Sequence, residues 1–215
     1  MCAMTDVIHG TPHVEPTDTR SAILEETIRI IDAHGESAVR VRDVVAAAGV
    51  ATTSMYHFFG GREDLIDAAN AERYRRTLYG PNYGEFEDMV GGCDTEEKLK
   101  AALLHGIGIA RNEVGAGNRR VRVMVLGSAQ SRPNLAARIT QINTDYVERT
   151  ARLFEHAIDM GWARPGFDAR SGALWYLGQM TGRVLLDLGG VPATQEGWEN
   201  TEAVALLAVI FGDPS

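Results

Sequence analysis

Within the stretch "TTSMYH", Thr52, Thr53, Ser54, Tyr56 and His57 offer hydroxyl and imidazole groups in near-continuous order. On one short helix such side chains can hydrogen-bond phosphate oxygens or base edges, the chemistry of reading a major groove. A helical hairpin whose polar side merely faces water has the same pattern, so the cations around it matter. Arg20, Arg40, Arg42 and Arg62 stand at or just before predicted helix starts. A cation there does not help the helix itself, because it meets the positive end of the dipole. A phosphate bound at the same place gains from both the free amides and the guanidinium. Arg73, Arg75 and Arg76 fall instead in the last turns of their helix, where the dipole already accounts for them.

A second set of residues suits a small-molecule pocket, which is mostly apolar with a few polar groups. Met124, Tyr146, Phe154, Trp175, Tyr176 and Met180 are its apolar candidates, with His105 and Arg111 as polar fixes. For any one of them taken singly, core packing is the more common role. Enzyme chemistry finds less support. The histidines at 9, 13, 34, 57, 105 and 156 include no pair at metal-ligand spacing on one helix. No glycine-rich phosphate loop follows a strand, and no nucleophile elbow occurs. His156 and Asp159 can share a helical face, the ordinary arrangement of a solvent-facing pair. No catalytic residue, metal ligand or cofactor is therefore expected, and the chain is not expected to be an enzyme.

The elements that must position these groups are helices. From Thr19 to Gly35, Ile23, Thr27, Ile30 and Ile31 share one face, widened by Leu24 and Ile28, with Asp18 or Thr19 as cap. A shorter helix, roughly Arg42 to Ala48, stops at Gly49. A turn through Val50 and Ala51 leads to a second short helix starting near Thr52, together a helix-turn-helix. Ala46, Ala47 and Ala48 are expected to let the two helices approach, with Val50 beneath the corner and Met55, Phe58 and Phe59 as anchors. Arg62 to Tyr79 forms the next helix, with Leu65, Ile66 and Ala69 inward. "GPNYGEFEDMVGGC" reads as a loop and a domain boundary. Asp94 is expected to cap the helix that follows; another begins after a Gly-Asn turn at residues 117–118. A long amphipathic run carries Leu135, Ile139, Ile142, Tyr146, Leu153 and Ile158. "DARSGALWYLGQMTGRVLLDLGG" is nearly all apolar, suggesting burial on more than one side, and "GWENTEAVALLAVIFG" follows it.

Composition agrees with a folded globular protein. Of the 215 residues 45% are hydrophobic and 23% charged, near globular averages. The net charge of −8 argues against indiscriminate coating of nucleic acid or membrane but allows recognition by a few placed arginines. Between Asp18 and Arg76 ten anions outnumber eight cations, so position rather than net charge carries the argument. No run of about 18 apolar residues suggests a membrane span. Two distant cysteines, Cys2 and Cys93, fit a reducing cytoplasm. The N-terminus lacks a basic start and an apolar segment, so no secretory signal is expected.

The run "RVRDVVAAAGVATTSMYHFFGGREDL", Arg40 to Leu65, resembles the DNA-binding signature of TetR-type transcriptional regulators, as does "TRSAILEETIRIIDAHG" before it. The matching features are Val41, Asp43 and Val44, the Ala47 to Val50 corner, Tyr56-His57, Phe59, and Glu63 to Leu65. Ala51 stands where the family often has Ser, so Thr52 is expected to cap the second helix. Thr53 stands where Gly is common and changes the groove-facing residue, and Arg62 replaces Lys. The resemblance implies an all-α fold: an N-terminal three-helix helix-turn-helix domain plus a C-terminal helical bundle for ligand binding and dimerisation. The boundaries expected are a disordered arm over 1–17, the DNA-binding domain over 18–61, a linking helix over 62–79 and the second domain over 80–215. It further implies a cytoplasmic, ligand-responsive repressor that binds a palindromic double-stranded DNA operator as a homodimer. Leu174, Gly178, Gly182, Leu185, Leu206 and Ile210 are the expected dimer residues. The alternative is a helical small-molecule carrier or enzyme for which the corner is only scaffolding.

Overall fold

Apolar residues at helical spacing bury one stripe of the first helix, α1 (Pro16–His34). Ile23, Leu24, Thr27, Ile28, Ile30 and Ile31 are all buried, and the Thr27 hydroxyl donates to the Ile23 carbonyl at 2.7 Å. The helix begins at Pro16, so Asp18 and Thr19 lie within its first turn rather than capping it. Proline suits that position because the first helical N–H has no intrahelical partner to lose. The structure, a computed structural model, describes residues 16–80, 83–109, 113–189 and 194–212. Arg111, and the proposed arm as far as residue 15, lie outside the described residues.

A 3₁₀ turn (Glu36–Ala38) leads to α2 (Val41–Ala47), α3 (Thr52–Phe59) and α4 (Arg62–Leu78). The chain divides into two compact units, one ending at Ala69 and one starting at Asn70, so α4 supplies residues to both. In the first unit Val39, Val44, Val45, Met55, Phe59, Leu65 and Ile66 join the α1 stripe in one core.

The second unit continues with α5 (Tyr83–Gly91), α6 (Glu96–Ile109), α7 (Glu113–Ala129) and α8 (Pro133–Asp159), then α9 (Ala169–Gly182), α10 (Val184–Asp187) and α11 (Gln195–Phe211). All described elements are helical. Asp168 caps α9 by accepting the Ser171 N–H at 2.7 Å, and Thr194 caps α11 by accepting that of Gly197 at 2.9 Å. The 27-residue α8 serves two cores: Leu135, Ile139 and Tyr146 in one, Leu153, Phe154 and Ala157 in the other.

Several expectations change here. The predicted loop at residues 80–93 contains α5, because Phe86 and Val90, one turn apart, pack into the second core despite flanking glycines. Thr95, not Asp94, caps α6 by accepting the Lys98 N–H, while Asp94 accepts from the Lys98 ammonium. The Gly-Asn turn is absent: α7 runs from Glu113 through Gly115, Gly117 and Asn118. Each glycine costs a helix about 1 kcal/mol, which tertiary packing on the buried Gly115, Arg119, Arg122, Val125 and Ala129 stripe offsets. Ile158 is 43% exposed at the end of α8. In the apolar run over α9 and α10, α9 is buried on one side only and α10 has no buried residue; Leu174, Leu185 and Leu188 are 60%, 56% and 78% exposed. Two expected dimer residues, Leu206 and Ile210, are core instead, at 3% and 0% exposure, because that side of α11 meets the second core.

Candidate nucleic-acid interface and cavity

The corner before α3 is a helix stop made by one glycine. Gly49 takes φ +67°, its N–H donates to the Ala46 carbonyl, and the Val50 N–H reaches back to Val45 at 3.0 Å. This pair of bonds satisfies the last carbonyls of α2 and turns the chain sharply. Val50 packs against the core as expected. Ala46 and Ala47 do not close the helix contact; they are exposed, and only Ala48 packs inward. Successive helical residues rotate by about 100°, so a face set by Val44, Val45 and Ala48 turns 46 and 47 outward.

α3 is divided the same way. Met55 and Phe59 are buried and Phe58 packs beside them, which leaves Thr52, Thr53, Tyr56 and His57 exposed along the opposite arc. Ser54 is half-buried at the arc's edge. The His57 ring meets the Phe58 ring edge-on, with centroids 5.2 Å apart. Ala51 is the N-cap residue and no side chain caps the helix, so Thr52 does not take that duty. The first amides of α3 therefore stay available to an outside acceptor.

The four arginines differ. Arg42 has a side chain 91% exposed, loosely paired with the half-exposed Asp43 at 3.2 Å. Arg20 lies over the Phe59 ring, 5.4 Å from its centroid, and is exposed. Arg40 is exposed but donates to the Ser37 carbonyl at 2.6 Å. Arg62 works within the fold: Nε donates to the Val39 carbonyl and Nη2 to the Glu36 carbonyl, each at 2.9 Å, and Nη1 pairs with Glu63. It thus fastens the 3₁₀ turn to α4, a role the sequence hid because its acceptors lie 23 and 26 residues away. Arg73, Arg75 and Arg76 are structural, bonded to Asn70 and Glu72.

In the second unit a cavity of about 510 Å³ gathers five of the eight pocket candidates: His105, Tyr146, Phe154, Tyr176 and Met180. Met124 does not line it; it is 60% exposed on the outer side of α7. Trp175 packs in the second core without lining the cavity. Leu206, assigned above to a dimer, is part of the lining.

Residues that were not anticipated supply polar groups to the lining: Thr77, Tyr83, Arg119, Arg122 and Thr150. α7 inverts the usual amphipathic order, with Arg119 and Arg122 buried while Val123 and Met124 face out. Their spacing of three residues could have flagged one helical face, but a charged stripe ordinarily reads as solvated. Arg119 forms a bidentate pair with Asp187 at 2.6 and 2.7 Å, and that hydrogen-bonded guanidinium holds the Asp187 carboxyl below its usual range. The Tyr146 hydroxyl donates to Met180 Sδ at 3.3 Å, and complete burial pushes its pKa well above that of a free phenol.

A helix-turn-helix with a solvent-facing polar arc, followed by a helical unit that holds a mostly apolar cavity, is the architecture of a helical DNA-binding regulator. Residues 23–69 match the model of bacterial regulatory proteins of the tetR family. No curated protein matches the chain. Among solved structures, a TetR-family regulator of a Rhodococcus species aligns over 90% of this chain and 99% of its own, with 22% identity and TM-score 0.64. Salmonella enterica GusR aligns over 93% and 99%, with 19% identity and TM-score 0.65. Bacillus subtilis FadR, in complex with stearoyl-CoA, aligns over 90% and 99%, with 19% identity and TM-score 0.55. At these identities the likeness is one of fold. No described helix is long and apolar enough to cross a membrane.

Proposed function

We propose that the chain is a one-component repressor that binds a palindromic operator as a homodimer and leaves it when a small molecule enters the cavity. The carrying observation is the outward arc of Thr52, Thr53, Tyr56 and His57 opposite buried Met55 and Phe59. Hydroxyls and imidazole there meet base edges, while Arg20 and Arg42 reach flanking phosphates; Arg40 follows if it gives up Ser37. Two copies related by a two-fold axis present recognition helices one DNA turn, about 34 Å, apart. The exposed Leu174, Leu185 and Leu188, with Gly178 and Gly182, form the apolar face on which the copies meet.

The effector acts through α4, whose Arg62 end fastens the 3₁₀ turn and whose Thr77 and Leu78 line the cavity. A ligand moves that helix only by binding one of its arrangements better than the other. The FadR complex supports the reading in one respect: in that protein a fold of this kind holds a ligand. Fluorescence anisotropy against the chain's own upstream DNA is the test. A specific, salt-sensitive complex, lost in Tyr56→Phe/His57→Ala with circular dichroism unchanged, is the expected outcome. Undiminished affinity in that variant refutes the assigned face. Turnover or tight ligand binding without any DNA complex favours the carrier or enzyme alternative.

A further inference from the structure

The charge of the cavity's occupant can be read from one side chain, on the view that the cavity is the effector site. Arg122 is 1% exposed and lines it. Its Nη2 donates to the Thr77 carbonyl at 2.8 Å and its Nε to the Thr77 hydroxyl at 3.3 Å. Its Nη1 is buried and has no hydrogen-bond partner among the described residues. A guanidinium stays protonated in proteins, so this is a buried cation with donors to spare. Buried charges are otherwise paired, because removing an ion from water without compensation is costly.

Among the described residues no neighbour supplies the missing anion. Asp187 is held on both oxygens by Arg119. Among the described residues the lining contains no aspartate or glutamate, whereas it contains Arg119, Arg122 and His105. Burial, with only tyrosines to favour its charge and Arg119 against it, holds Arg122 below the usual guanidinium range. Much of the remaining lining is apolar, including Phe86, Leu103, Leu153 and Phe154.

We infer that the cavity takes an organic carboxylate with an apolar body, its carboxylate accepting from Arg122 Nη1 and its body lying on the Phe86 and Phe154 side. One unpartnered nitrogen fits one negative charge better than a dianionic phosphate, which needs more donors. A cationic ligand would place like charge beside Arg122 and Arg119.

The test uses the full chain and isothermal titration with phenylbutyrate and decanoate, their amides, and phenylbutylamine. The acids are expected to bind at least about tenfold more tightly than their amides, as loss of a charge-assisted hydrogen bond implies, with the amine weakest. Arg122→Met should abolish the acid-over-amide preference while keeping amide affinity, and Arg122→Lys should restore part of it. If Arg122 only fastens Thr77, both affinities and the melting temperature fall together and the preference survives. Amides or the amine binding as well as the acids, no acid binding better than about 1 mM, or a preference retained in Arg122→Met each overturns the inference. If Arg122→Met fails to fold, the acid-to-amide ratio of the unaltered chain and of Arg122→Lys decides. Indifference to acids in a protein that still binds its upstream DNA sinks this inference alone. An acid preference in a protein that binds no DNA leaves it standing and removes the regulator reading.

Discussion

Replacing Arg62 by Met separates two roles that the sequence could not. The substitution keeps most of the apolar stem and removes the donors to the Val39 and Glu36 carbonyls, both at 2.9 Å. A hydrogen bond from a charged donor contributes roughly 1.5–3 kcal/mol. Arg62 is 35% exposed along its side chain, and water can reach the freed carbonyls in part, so the pair together is worth about 2 kcal/mol. The ion pair with Glu63 adds little, since Glu63 is 76% exposed. Hydrogen exchange measured by mass spectrometry reads the loss locally. Peptides spanning residues 36–50 should exchange about thirtyfold faster, the equivalent of 2 kcal/mol, while peptides from α8 do not change. Protection of residues 36–50 left intact, with DNA affinity alone reduced, would refute the clasp and return Arg62 to the phosphates.

Two further outcomes are expected. Leu174→Glu with Leu188→Glu should convert a dimer to a monomer by light scattering. The change in chain stability should stay within about 0.5 kcal/mol, because both side chains are largely exposed in the single chain. The Asp187 carboxyl is held below the ordinary aspartate range by Arg119, so its stabilising share is present above that ordinary range and is lost as pH falls through the depressed folded value. Asp187→Asn should therefore be less stable than the unaltered chain at neutral pH by about 2 kcal/mol, short of a fully buried pair because the Asp187 side chain is 18% exposed, and the two melting temperatures should converge in acid.

How much was legible follows from how local each signal is. The helix-turn-helix could be read because its determinants lie close in sequence: a glycine at a left-handed stop, Met55 and Phe59 one turn apart, and polar residues between them. The division of α3 into an anchored and an exposed side emerged as expected. The cavity was half legible, since aromatics on middle helices suggest a lining without saying which face turns inward. Met124 and Trp175 lie off the lining for that reason, and Leu206 lies in the core although a closing apolar helix looks alike in sequence whether it meets its own core or a second copy.

The residue sequence by itself determined the helical periodicity, the corner at Gly49 and the polar arc that follows it, because these depend on backbone conformation and neighbours within a turn or two. Tertiary structure alone decided which way α7 faces, placing Arg119 and Arg122 inside and Met124 outside, against the order that hydropathy favours. It also decided that Arg62 grips carbonyls far away in the chain. Burial is a property of what packs against a helix, and a helix does not carry that information in its own residues when its charged face is the one that is covered.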